Sequence, residues 1–181
     1  MKFGICFNVW GDRFLKDFNN FCLASLLINL NNLNKTQLKN LEIFICTNEN
    51  SLISLNNLQN LTKIRKLVKV RIINKSKIIN KKNLNIYLKL CHLENYMLNY
   101  ISNKVDYVSL LDPDNIFSPH YFKNIIAKAN EKKFDLMLTP VPRVENEKIN
   151  IYFKKFLNFK LNFFDMIFEC FHDSFYANDI Q

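Results

Sequence analysis

The sequence predicts an α/β fold: a mostly parallel sheet with helices on both faces, followed by a C-terminal amphipathic helical segment. Three observations carry this reading. Apolar runs of strand length recur along the chain. Several are apolar at nearly every position, as a strand buried on both faces requires. Segments with helical spacing separate them, the alternation that builds parallel sheets.

The runs are "KFGICF" (2–7), "LEIFICT" (41–47), "LVKVRII" (67–73), "VDYVSLL" (105–111) and "FDLMLTPV" (134–141). After "WGDR", the residues Phe14, Phe18, Phe21, Cys22 and Leu26 share one helical face, with Asp12 as the expected N-cap. Over 84–102, Asn85, Lys89, His92, Asn95, Asn99 and Asn103 form a polar stripe opposite Leu84, Leu88, Cys91, Leu98 and Ile101. A further short helix is expected over 120–132, after Pro119.

The final segment, 150–175, contains neither Gly nor Pro. Asn158, Asn162, Asp165, Glu169 and Asp173 repeat at helical spacing, and nearly everything else there is apolar. Lys154, Lys155 and Lys160 stand early and the acids late, against the dipole preference of one continuous helix, so packing must account for it. So wide an apolar face needs cover from the sheet, from a second copy in a homodimer or another partner, or from a membrane surface. The expected organisation is therefore a domain over 1–144 and a helical segment over 145–181 that packs on the domain or a partner.

At 181 residues, 49% of them hydrophobic and 14% aromatic, the chain can build one real core and is not disordered. Its net charge of +9 invites a nucleic-acid or membrane partner. Yet Lys, Asn, Ile and Phe are all abundant while Gly, Ala and Arg are scarce, the usage an AT-rich coding sequence imposes whatever the function. The lysines are also spread out, apart from "NKSKIINKKN" at 74–83. Nucleic acid is therefore not the expected partner.

The five cysteines are odd in number, widely spaced and without a CxxC or Cys/His metal pattern. They read as reduced packing residues of a cytoplasmic protein. "MKFGICFNVWG" lacks a signal-peptide apolar core, and no run approaches the ~20 residues of a spanning helix. The expected location is the cytoplasm, with contact at the inner face of a membrane as an added option.

The stretch that bears on chemistry is "LLDPDNIFSPHYF" (110–122), where a hydrophobic strand runs into two aspartates separated by one proline. Asp-Pro also starts many turns. In a parallel α/β sheet, however, ligands bind outside the carboxyl ends of the strands, where Asp112 and Asp114 fall. Two carboxylates at i and i+2 suit a hard divalent ion, Mg²⁺ or Mn²⁺, which leaves positions open for phosphate oxygens. Pro113 restricts the backbone between them.

"VDYVSLLDPDNIFSPHYFKNII" resembles the DxD segment of GT-A-fold nucleotide-sugar glycosyltransferases. "FNVWGDRFLKDFNNFCLASLL", "KLCHLENYMLNYI" and "LTPVPRV" extend the likeness to a bacterial glycosyltransferase-like group with a VWG-type first loop, over roughly residues 3 to 144. Ala24 stands where that group has a Pro, and the chain ends at Gln181, short of a complete enzyme of this type. The resemblance implies a GT-A (Rossmann-like) fold and a divalent cation. It also implies transfer of a sugar from a nucleotide diphosphate donor to a glycan or lipid-linked acceptor. The alternative is a truncated or degenerate GT-A module that binds a nucleotide or a partner without turnover.

Residue by residue, the resemblance puts Asn8, Val9 and Trp10 at the base and ribose, with Trp10 either stacking on a base or anchoring the core. Thr47 and Glu49 would contact the base, although Glu49 fits a first helical turn equally well. Asp112 would touch ribose or metal, and Asp114 would ligate the metal. The first Asp of the motif varies in that group, so Asp114 is the firmer metal ligand. Arg143 would meet phosphate or stand on the surface. His92 is expected to be exposed and His120 to start a helix, while His172 resembles a histidine found late in related proteins. No general base is identifiable.

Overall fold

The computed structural model describes residues 1–131 and 146–158. The chain divides into two compact units, Met1–Asp135 and Leu136–Gln181. The first contains β1 (Phe3–Asn8), α1 (Asp12–Asp17), a π-helical turn (Phe18–Cys22), α2 (Leu23–Asn31), α3 (Lys35–Lys39) and β2 (Leu41–Thr47). It continues through α4 (Glu49–Asn56), α5 (Gln59–Ile64), β3 (Lys69–Asn74), α6 (Ser76–Ile79), α7 (Ile86–Ile101), β4 (Tyr107–Leu111) and α8 (Tyr121–Asn130). In the second unit, α9 spans Asn146–Leu157.

The four strands form one all-parallel sheet in the order β3-β2-β1-β4, a Rossmann-like arrangement with helices on both faces. Burial follows position. β1 and β2 lie inside and are buried almost throughout, whereas β3 and β4 are half-buried. Alternation along the strands separates two layers. Cys6, Phe44 and Cys46 face α6 and α7, packing with Ile79, Leu93, Met97 and Ile101. Phe7 faces the other way and meets Phe18 of the π-helical turn edge-on, with ring centroids 5.1 Å apart.

The strand expected over 134–141 lies outside the described residues. So does most of the tail, with Asn162, Asp165, Glu169, Asp173 and Lys160. Three expectations are corrected. Gly11, not Asp12, is the N-cap of α1: its φ of 84° favours glycine, its carbonyl accepts from Leu15 N–H, and Asp12 sits in the first turn. Phe14 is 54% exposed and Leu15 is buried instead. The π-helical turn adds a residue, so the face before it is rotated relative to Phe18, Cys22 and Leu26, which are fully buried.

The third correction concerns α7, which buries Leu93, Met97 and Ile101, while Leu88, Cys91 and Leu98 are exposed. The face that meets the sheet is centred on the Leu93–Met97–Ile101 row and is flanked by Tyr96 and Tyr100. Asn85 caps the helix by accepting from Leu88 N–H.

In the second unit, α9 buries Ile149, Phe153 and Phe156. Because it ends at Leu157, Lys154 and Lys155 occupy its last turn, where the dipole favours cations. That reverses the unfavourable placement expected of a longer helix. Among the described residues, no helix is long and apolar enough to cross a membrane.

Candidate functional site

In a sheet ordered β3-β2-β1-β4, the chain builds outward from β1 through β2 to β3, then crosses back to place β4 on the other side of β1. The β1–β4 boundary is thus the topological switch point, where the carboxyl ends of neighbouring strands leave a crevice. A cleft of about 180 Å³ lies there, lined by Cys6 and Asn8 of β1, Leu110 to Pro113 at the end of β4, and Leu90 and Glu94 of α7.

Register explains why Asn8 and Asp112 line the same cleft. Phe7 pairs with Leu111, so the next residue of each chain continues the pairing on the α7 face. The Asn8 Oδ1 is buried and has no hydrogen-bond partner. Asp112 is itself solvent-accessible, but its carboxyl is raised above the ordinary range, first by desolvation and then by the negative charge of Asp114. Glu94 is raised for the same kinds of reason, first by burial and then by Asp112. Both ion pairs among the described residues use Glu42 on β2, remote from these acids.

Asp114 is exposed and does not line the cleft. The fully buried Cys22 thiol is pushed well up by burial, then by Asp114 and then by Asp112. Both carboxylates of the acidic turn thus act on the Cys22 thiol. The loop behind the turn is fastened to α2. Ser25 Oγ accepts from Phe117 N–H at 3.1 Å, and Asn29 donates to the Ser118 carbonyl at 3.0 Å.

The other sequence-predicted residues among those described do not line the cleft. Val9 is buried, and its N–H donates to the Cys46 carbonyl. Trp10 is half-buried and packs on the α7-side core. Thr47 is fully buried with its hydroxyl unpartnered, and strand alternation puts it on the Phe7 face, away from Asn8. Glu49 is exposed in the first turn of α4. His92 is exposed, and His120 takes a left-handed conformation (φ 66°) as the N-cap of α8. Arg143 and His172 lie outside the described residues.

Glu94 is the cleft residue that sequence reasoning missed. One signal was present: it is the sole acid between Glu49 and Asp106.

The chain matches no known family model and no curated protein. Chemistry must therefore be read from the donors themselves. Among the described residues, no group of three or more His, Cys, Asp or Glu side chains could hold a metal ion. Mg²⁺ commonly takes only one or two protein carboxylates and completes its shell with water and phosphate oxygens. The oxygen donors Asp112 and Asp114, with the orphaned Asn8 Oδ1 close by, suit that shared mode of binding.

Proposed function

We propose that the cleft binds the diphosphate of a nucleotide-sugar donor together with Mn²⁺ or Mg²⁺, and that the protein is a GT-A-type glycosyltransferase. One observation carries this reading: Asp112 and Asn8, whose Oδ1 is unpartnered, line one cleft at the β1–β4 switch point together with Glu94. The acids there raise one another's affinity for protons, so the site favours any ligand that brings positive charge. The bound cation would supply charge neutralisation to the departing diphosphate.

The chain's own residues have distinct tasks in this reading. Asp112 and Asp114 would hold the cation, Pro113 would keep their spacing, and Ser25 and Asn29 hold the following loop in place. Asn8 offers a carbonyl oxygen to a hydroxyl or to the cation. In the reaction, the acceptor hydroxyl oxygen bonds to the anomeric carbon as the bond to the diphosphate breaks, and the hydroxyl proton leaves. The acceptor is a glycan or a lipid-linked sugar.

The test is thermal unfolding with Mn²⁺ and a panel of nucleoside diphosphates, comparing wild type with Asp112→Asn and Asp114→Asn. A ligand at a hundred times its Kd stabilises by about 2.7 kcal/mol, a shift of several degrees. The shift should need metal and nucleotide together and should be lost in both variants. Identical shifts in wild type and variants would refute the site. Binding that never leads to transfer or hydrolysis of any donor would leave a nucleotide-binding module.

A further inference from the structure

Away from the cleft's acids, the strongest unexplained feature is a surface at the same end of the sheet. Ile86, Tyr87 and Leu88, the first turn of α7, are 49%, 75% and 48% exposed. Three consecutive large apolar side chains in water call for an explanation, since isolated exposed hydrophobics are ordinary but clustered ones mark contact surfaces.

Their surroundings are cationic. From Asn50 to Leu93 the chain carries ten Lys and Arg residues and no acid. Lys69 and Arg71 are engaged with Glu42 on the sheet. Lys75 lies over the Tyr96 ring, 3.5 Å from its centroid. Lys77, Lys81 and Lys82 are exposed, on α6 and the short loop that leads directly into Ile86. α6 packs on α7, and Lys82 and Lys81 stand four and five residues before Ile86.

We propose that this surface docks on an anionic lipid bilayer. Ile86, Tyr87 and Leu88 enter the boundary between headgroups and acyl chains, and Lys77, Lys81 and Lys82 meet lipid phosphates around them. The combination fits a bilayer, which offers apolar depth beneath a negative surface. A nucleic acid offers the negative surface but nothing to bury Ile86 and Leu88. A second copy of the chain would bring like-charged lysines against one another.

Docking has a geometric consequence. Leu90 and Glu94 line the cleft, so the exposed turn of α7 stands about one helical turn beyond it, at the rim. The mouth of the cleft is then held close to the lipid surface, where a lipid-linked acceptor would arrive. That extension rests on the proposed transferase reading, whereas the docking does not.

Flotation of the full chain with vesicles tests it. Wild type should float with vesicles containing phosphatidylglycerol, release as salt rises, and stay unbound on pure phosphatidylcholine. Lys81→Gln and Lys82→Gln should each weaken binding about fivefold, and Ile86→Ser/Tyr87→Ser/Leu88→Ser at least about tenfold. Undiminished binding in these variants, equal binding to both vesicle types, or no binding at all overturns the proposal. RNA retained in place of vesicles, or a dimer that dissociates in the triple variant while vesicles go unbound, overturns it too. Tyr87→Ser should leave the Mn²⁺-nucleotide thermal shift intact, so failure of docking and failure of the donor site are separable.

Discussion

Asn29, buried in α2, accepts a hydrogen bond from the Phe122 N–H, 93 positions along the chain. Its amide also donates to the carbonyls of Ser25 and Ser118. One side chain thereby ties α2 to both the loop behind the acidic turn and the first turn of α8. Replacing it with Ala leaves buried groups unsatisfied at both places. Asn29→Ala should cost roughly 2–4 kcal/mol in urea unfolding. Asn20→Ala, an exposed comparison within the preceding π-helical turn, should cost less than half as much; equal losses would show that Asn29 is not the tie described.

Gly11 sets the start of α1 from a conformation at φ 84° and ψ 142°, which side-chain-bearing residues rarely adopt. Space is not the obstacle, because an added Cβ would come no nearer than 3.9 Å to Phe14. Gly11→Ala should therefore destabilise by about 1–3 kcal/mol through backbone strain alone. Its N–H donates to Ser51 Oγ at 3.0 Å, so Ser51→Ala should have a smaller effect. A neutral Gly11→Ala in thermal unfolding would contradict the assigned backbone.

Glu94 makes stability depend on pH with a definite sign. Its folded carboxyl is raised by burial and then by Asp112, so the folded protein takes up the proton at a higher pH than the unfolded chain. Its stabilising contribution is full below the unfolded value of about 4.3 and is lost as pH rises through the folded value. At neutral pH the charged side chain is thus a liability. Glu94→Gln should raise Tm at pH 7 in EDTA, with the difference vanishing in acid. A lowered Tm at pH 7 would reverse the assigned electrostatics.

The thiols give an alkaline counterpart. Burial pushes Cys6 up to about 12, helped by Cys46, and burial likewise pushes Cys46 up to about 12 against the lowering effect of Lys75. Their contribution is full below the ordinary thiol value and is lost from there up to about 12. In a Cys170→Ser background, a thiol reagent at pH 8 should label Cys91 rapidly, since it is exposed, and reach Cys6, Cys22 and Cys46 only after denaturation. Fast labelling of all four in the native protein would contradict this burial.

The parts legible in the sequence share one property: a local pattern that packing then obeyed. "LEIFICT" is apolar at nearly every position because β2 lies between two strands, and it occupies Leu41–Thr47 as read. The turn at Asp112 could be placed at a strand's carboxyl end because an apolar run stops there. Other features depended on partners distant in sequence. Nothing around Phe18 announces a π-helical turn, so the face through Phe14 was misphased. Leu93 and Met97 became the inner row of α7 because Cys6, Phe44 and Cys46 offer them a surface, a choice that helical periodicity alone leaves open. Glu94 was hidden for the same reason, because its role exists only once α7 lies across the end of β1.

The order of the sheet also decides when the cleft can exist. β4 joins β1 only after almost the whole first unit has been synthesised, as the tie between Lys2 N–H and Asp106, 104 positions apart, illustrates. A nascent chain can assemble the β1–β2–β3 half from nearer neighbours, but it has no cleft until its last strand docks. Premature termination before Tyr107 would therefore yield a chain with most of its core and without the cleft.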